Sequence, residues 1–454
     1  MIDGLNEIFS PARVKTSVED RAVWGTDWTR GYRVAPSAVV FPETVAEVAA
    51  LTRLANEQGL QLVPSGGRTG LSGGAVAGNG EIVVSFDRMN RILHFDPADR
   101  LVRCQAGVVT HALQAFARDK GLFYPVDFAS AGSSQIGGNI ATNAGGIKVI
   151  RYGMTRDWVA GLKVVTGAGK VLEFNNGLVK NATGYDLRHL FIGSEGTLGF
   201  VVEAEIRLTH APLPQRVMVL AVDQFKDILK VLLTFQAELT LSAFEFFSEL
   251  ALGKVLAHRA LKRPFATPSP FYALLEFDAA VEEAALQAFE HTLDEGWVTT
   301  GVASQSDAQA RSLWALREGI SESIASYAPY KNDLSVRISD VPEFLDDVEK
   351  IVTDNYPDFE VCWFGHIGDG NLHLNVLKPE NLSIEAFYER CHTISPKIFT
   401  LVERRGGSIS AEHGVGILKR DFLQYSRSAD EIELMKSLKR VFDPSGVMNP
   451  GKLI

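Results

Sequence analysis

His366 and His373 flank a short polar run, Gly365-His366-Ile367-Gly368-Asp369-Gly370-Asn371-Leu372-His373-Leu374-Asn375-Val376. Leu372, Leu374 and Val376 alternate with Asn371, His373 and Asn375. That period of two predicts a strand with one apolar and one polar face, so His373 and Asn375 point the same way. The Gly-Asp-Gly turn before it can fold His366 back beside them. Two imidazoles and an amide on one side of a strand suit a metal or a substrate. Further on, Ser408-Ile409-Ser410-Ala411-Glu412-His413-Gly414-Val415-Gly416 brings a carboxylate and a third histidine in a glycine-flanked loop. Two histidines and Glu412 make a three-ligand set for zinc with a position open for substrate. The spacing lacks the fixed helical geometry of His-Glu-x-x-His, so ordinary hydrogen-bonded histidines stand as the alternative reading at this point.

A chain of 454 residues is too long for one ordinary core, and two or three domains are expected. Hydrophobic residues at 46% and charged residues at 22% belong to a soluble globular protein. The net charge of -10 comes without a basic stripe, which argues against nucleic acid as a partner. Cys104, Cys362 and Cys391 lie too far apart in sequence for a disulfide framework or a thiolate zinc site, and they suit a reducing compartment. Met1-Ile2-Asp3-Gly4-Leu5-Asn6-Glu7 reads as neither a secretory nor a transit signal. No apolar run reaches the roughly 20 residues that span a bilayer. The expectation is a cytoplasmic protein that does not span a membrane, with peripheral contact to a membrane partner left open.

Several elements must position such a site. Val39-Val40-Phe41, an amphipathic helix from Thr44 to Gln58 and a strand from Leu60 to Pro64 form a β-α-β unit, with Thr44 as helix cap. Pro64-Ser65-Gly66-Gly67-Arg68-Thr69-Gly70-Leu71-Ser72-Gly73-Gly74 follows directly. Its glycines exclude regular structure and leave amides free to cradle a phosphate, the alternative being a mobile surface loop. Two more small-residue segments follow, from Gly132 to Gly146 and from Gly193 to Gly199. Three such loops suggest one long cofactor across several strand ends, such as a dinucleotide with a large ring system. Neither G-x-G-x-x-G after a strand nor G-x-x-x-x-G-K-[ST] is present, so Rossmann and P-loop readings lack support.

After the Pro-interrupted linker Leu208 to Pro214, strands and helices alternate: 217–222, 223–239, 271–277 and 281–295. This order predicts an α+β sheet covered by helices on one face, as a substrate or cap domain. Arg317 and Ser321 fall four apart on a helical stretch and share a face, and Lys331 follows Pro329. An exposed helix ion pair and an anion contact are both open readings of Arg317. An amphipathic helix over 431–441 leads into Phe442-Asp443-Pro444-Ser445-Gly446-Val447-Met448-Asn449-Pro450-Gly451-Lys452.

The Ser-Gly-Gly-Arg-Thr-Gly-Leu-Ser-Gly-Gly loop, Ile136 to Gly146, Lys180 to Leu187 and Phe191 to Gly199 resemble the FAD-binding fold of the vanillyl-alcohol oxidase and p-cresol methylhydroxylase superfamily. The likeness runs from about residue 20 to the C-terminus. It implies an α+β protein: a two-subdomain FAD-binding domain over 1–206, a cap domain over 207–406, and a segment over 407–454 that returns to the flavin. The FAD contacts it implies are Pro64, Ser65, Gly66, Gly67, Arg68, Thr69, Gly70, Ser72, Ser133, Gly137, Gly138, Asn139, Thr142, Asn143, Gly145, Gly146, Gly193, Glu195, Gly196, Gly199 and Asn449. Relatives that attach FAD covalently through the first loop carry a His after the Gly-Gly pair. Arg68 stands there, so non-covalent FAD is expected.

Within the superfamily, the runs around His366–Val376 and Ser408–Gly416 are similar to the D-2-hydroxyacid dehydrogenases that hold a metal at the active site. That resemblance implies His366, His373 and Glu412 as ligands of zinc or another divalent metal such as manganese. It implies His413 as catalytic base, with Asn375 and His413 beside the substrate and Arg317, Ser321 and Lys331 on its carboxylates. Two cations favour a 2-hydroxydicarboxylate, 2-hydroxyglutarate with malate as the shorter competitor. Ser321 occupies a position often Thr in the family, which implies looser specificity. The expected acceptor is a quinone-linked protein or an electron-transfer flavoprotein rather than NAD, and a homodimer is compatible. The rival readings are a D-lactate or glycolate enzyme of the same superfamily, a flavoprotein that binds a metabolite without turnover, and a structural zinc site.

Overall fold

Thr44 opens the helix Val45–Gln58 with a capping box: its hydroxyl accepts from the Glu47 amide while Glu47 reaches back to the Thr44 amide. Gly59 closes the helix in the left-handed conformation. In the computed structural model, which describes residues 1–29 and 31–454, the chain forms two units. One comprises 1–145, 153–211 and 412–454, the other 146–152 and 212–411.

In the first unit, Ala38–Val40, Ile82–Ser85 and Leu62–Ser65 run parallel, with Val14–Lys15 antiparallel at the edge. Val48, Leu51 and Ala55 of the helix bury against Val40, Leu62, Ile82 and Val84. Val447 and Met448, from near the C-terminus, complete this core, and the Leu62 amide donates to the Val447 carbonyl. A five-stranded antiparallel sheet follows in the order Ile92–Asp96, Leu101–Gln105, Gly199–Arg207, Val159–Thr166, Val171–Phe174. Part of the second glycine-rich segment, Ile136–Thr142, is a helix. Ile136 and Ile140 lie one turn apart and both enter the core, which outweighs the helix-weakening glycines between them.

The second unit is a seven-stranded antiparallel sheet in the order Thr300–Ala303, Gln215–Val222, Phe271–Asp278, Leu241–Ser248, Val361–Gly365, Asn371–Val376, Tyr330–Ser335. Helices cover both faces, where the sequence suggested one. Ala251, Leu252, Trp314 and Leu316 pack with Val219, Phe247, Leu274 and Phe364 on one side. Phe225, from the helix Phe225–Glu238, meets Phe246 and Phe271 on the other. The reason is that nearly every residue of Leu241–Ser248 and Phe271–Asp278 is buried, so neither face could be left to water. The excursion 146–152 is tied in by two ion pairs, Lys148 to Glu276 and Arg151 to Asp278, and by Arg151 on Ser242.

Candidate active site

Strand register builds the polar face of the second unit. Lys331 opposes Asn375 and Asp333 opposes His373 across the pair Tyr330–Ser335 and Asn371–Val376. Opposed residues share a face, as do residues two apart, so all four side chains emerge together. Asp333 is fully buried; its Oδ1 accepts from Asn371 Nδ2 at 2.8 Å and lies 3.6 Å from His373 Nδ1. The predicted turn also forms. His366 directly follows the strand Val361–Gly365, and the Asn371 amide donates to its carbonyl. Gly370 has φ +82° and sits where a Cβ would meet the Val336 carbonyl at 2.2 Å, so the turn needs glycine there. The His366 and His373 rings stand 5.2 Å apart and nearly perpendicular.

Behind His366 lies Glu245, only 1% exposed. One carboxylate oxygen is 2.7 Å from His366 Nδ1 and the other is 2.7 Å from Arg317 Nη2. Arg317 is itself 6% exposed and stacks over Phe364 at 4.7 Å. The exposed helix pair that competed for Arg317 is therefore a buried one, made to a strand. The contact to Nη2 is off the N–H axis, and neither Nε nor Nη2 of Arg317 has an aligned hydrogen bond in the protein. Asn375 Nδ2, equally buried, is also unpartnered. A buried cation and amide with donors to spare fit an incoming carboxylate. Ser321 is exposed, on the short helical turn Ile320–Ser323 whose buried residues are Ile320 and Ser323. Cys362 opposes Asn375, and burial pushes its thiol up to about 12.

The first unit holds the glycine-rich loops, and they converge. A Cβ on Gly67 would meet the Ser133 carbonyl at 2.1 Å, and one on Gly196 would meet Pro64 at 2.6 Å. The amides of Gly193 and Glu195 donate to the carbonyls of Ile140 and Ala141. Gly138 faces open space, and Gln135 Oε1 and Asn449 Oδ1 are buried acceptors without partners. Such a cradle fits an extended cofactor of mixed polarity. Arg68 lies over Trp24 and donates to the Gly66 carbonyl. Asn449 donates to the carbonyls of Gly74 and Glu195. The Glu195 carboxylate accepts from the amides of Val415 and Gly416, both at 2.7 Å. Burial pushes that carboxyl above the usual range against the pull of those amides and of Lys419. Glu195 thus grips the loop carrying Glu412 and His413, whose side chains lie 3.8 Å apart. Ala411, just before them and in the other unit, donates its amide to the Asp333 carbonyl.

Sequence reasoning missed Glu245, Asp333, Gln135 and Asp27. Asp333 carried a signal, its equal parity with Lys331 two residues before. Asp27, whose carboxylate accepts from the amides of Thr29, Gly73 and Ala75, carried none. Gly145 and Gly146 fall on either side of the division between the units.

Two family descriptions match: an FAD binding domain over residues 36–175, and the C-terminal domain of FAD linked oxidases over 211–453. The fold is shared with p-cresol methylhydroxylase solved with substrate bound, at a TM-score of 0.77 and 15% identity over 100% of this chain and 96% of that one. Fold and loops define an FAD-dependent oxidoreductase of the vanillyl-alcohol oxidase and p-cresol methylhydroxylase type, acting as a D-2-hydroxyacid dehydrogenase. D-2-hydroxyglutarate dehydrogenase of Stutzerimonas stutzeri (strain A1501) is 59% identical, covering 100% of this chain and 98% of the relative. That of Xanthomonas citri pv. viticola is 55% identical over 99% and 96%. The chain belongs to the D-2-hydroxyglutarate dehydrogenase family. Among the described residues no helix is long and apolar enough to cross a membrane.

Proposed function

We propose that the chain oxidises D-2-hydroxyglutarate to 2-oxoglutarate, with D-malate as a poorer substrate, and passes the electrons to an electron-transfer flavoprotein or quinone-linked acceptor. The observation that carries the substrate class is the buried Arg317 guanidinium with Nε and Nη2 free of aligned hydrogen bonds. A monocarboxylate would leave the buried Nε donor without an acceptor, at a cost of about 1–3 kcal/mol, although Glu245 still balances the charge.

His366, His373 and Glu412 would hold a divalent metal, zinc or manganese, with Asp333 Oδ1 3.6 Å from His373 Nδ1. Support comes from donor chemistry: imidazoles backed by carboxylates are the usual setting of a metal-ligating His. When bound, non-covalent FAD accepts hydride and the metal acidifies the substrate hydroxyl. The protein supplies the rest. Arg317 and Lys331 clamp the distal carboxylate and so fix the reacting carbon. Asn375 donates its free amide N–H to substrate oxygen. His413 takes the hydroxyl proton, a role open to an imidazole beside the reacting carbon.

The test is anaerobic mixing of purified holoprotein with D-2-hydroxyglutarate, D-malate, D-lactate and glycolate, following flavin bleaching with and without a chelator. The reading requires D-2-hydroxyglutarate to bleach fastest and the chelator to slow it. In Arg317→Met and Lys331→Met, KM for D-2-hydroxyglutarate should rise about tenfold or more, with little change for D-lactate. Fastest bleaching by D-lactate or glycolate would overturn the dicarboxylate assignment, and no bleaching at all would leave a metabolite-binding flavoprotein.

A further inference from the structure

Glu245 has one oxygen at hydrogen-bonding distance from a metal-ligand candidate and the other beside the substrate-side cation. It sits in the interior of the strand Leu241–Ser248, whose register is fixed by pairing to Phe271–Asp278 on one side and Val361–Gly365 on the other. Its backbone therefore cannot follow either partner. His366 is held at Nδ1, which leaves Nε2 as the nitrogen able to ligate. Arg317 is contacted at Nη2 and lies over the Phe364 ring face, which leaves Nε as a buried donor without a partner. The charge balance points the same way. Arg317 and Glu245 neutralise one another when the site is empty, so a buried guanidinium can wait without an anion.

We propose that Glu245 is a positioning residue that sets the separation between the metal and the distal-carboxylate grip, and so tunes which length of 2-hydroxydicarboxylate the enzyme prefers. This rests on the proposed function, because it assumes a metal at His366 and a carboxylate at Arg317. Glu245 touches neither substrate nor cofactor; it acts through the two side chains it holds. One rigid carboxylate shared between both ends of the site is a ruler. A substrate whose carboxylates are wrongly spaced can satisfy the metal or Arg317, but not both.

The experiment uses the holoprotein and three variants: Glu245→Gln, Arg317→Met, and both together. Zinc affinity is read by competition with a chromophoric chelator, without turnover. KM and kcat are read separately for D-2-hydroxyglutarate, D-malate and D-lactate. Glu245→Gln should weaken zinc by about 10–100-fold, the usual effect of losing an outer-shell partner. It should raise KM for D-2-hydroxyglutarate more than for D-lactate, narrowing the preference among chain lengths. Arg317→Met should leave zinc affinity unchanged. The double variant removes the buried pair as a unit, so it folds even if Glu245→Gln alone does not, and it should bind zinc as weakly as Glu245→Gln. Wild-type zinc affinity in the double variant, or an equal loss for all three substrates in Glu245→Gln, overturns the proposal. If the wild-type protein binds no metal or is not reduced by D-2-hydroxyglutarate, the underlying reading fails instead.

Discussion

Asp333 and His373 face each other across two paired strands, carboxylate oxygen to Nδ1 at 3.6 Å, with Asp333 fully out of water. That distance is too long for a direct hydrogen bond. A fully buried carboxylate beside an imidazole needs a positive partner. Asp333→Asn keeps the shape and the bond from Asn371 but removes the charge. Its metal content after dialysis should fall by about tenfold or more, with FAD content unchanged. Full metal retention would mean that Asp333 serves only the strand pair.

His413 is the candidate base, held on the loop that Glu195 grips through the amides of Val415 and Gly416. Replacing it with Gln leaves those backbone bonds intact. The rate of flavin reduction by D-2-hydroxyglutarate should drop about 10²–10⁴-fold, while substrate affinity and metal content stay near wild type. A parallel loss of metal would move His413 from base to ligand.

Gly67 and Gly138 separate loop packing from cofactor contact. A methyl at Gly67 strikes the Ser133 carbonyl at 2.1 Å, whereas one at Gly138 meets nothing within 4 Å. Gly67→Ala should lower both FAD content and the melting temperature of the apoprotein. Gly138 lies in the helix Ile136–Thr142, so Gly138→Ala should raise apoprotein melting slightly and still lower FAD content, because its methyl fills open space beside the loops. Undiminished flavin in Gly138→Ala would place the cofactor elsewhere.

Asp278 gives a pH signature. Hydrogen bonds from Arg151 hold its carboxyl below the usual range, with help from Gln215. A depressed folded-state pKa adds stability that is present above the unfolded value of about 3.9 and is lost as pH falls through the folded value. Asp278→Asn should therefore cost about 1–2 kcal/mol at pH 7 by urea unfolding. The gap from wild type should close as pH falls below about 4. A gap that persists at acid pH would assign the effect to packing.

Periodicity carried the fold where one period ran cleanly. Thr44 to Gln58 and the strands beside it have a capping residue, a helical apolar stripe and a terminal glycine, and the helix is Val45–Gln58. Leu372, Leu374 and Val376 likewise reveal their strand through alternation. Leu241-Ser242-Ala243-Phe244-Glu245-Phe246-Phe247-Ser248 was illegible, because a strand buried on both faces shows no alternation. Glu245 was hidden with it. A single acidic residue in an apolar run reads as an interruption until its two partners, distant in sequence, are seen. The candidate ligands were legible because chemistry is written in residue type. Their supports were not, because strand register is written in pairing.

The first unit also has an order of assembly written into it. Leu62 bridges to Met448, and the core around the first parallel strands includes Val447 and Met448. Nearly the whole chain must be looped out before that contact can form, and so much sequence separation makes it a late event. During synthesis the first β-α-β unit must therefore wait, incompletely covered, while the seven-stranded unit is made after it. Protection of the Leu62 amide from exchange should accordingly appear only with the slowest refolding phase.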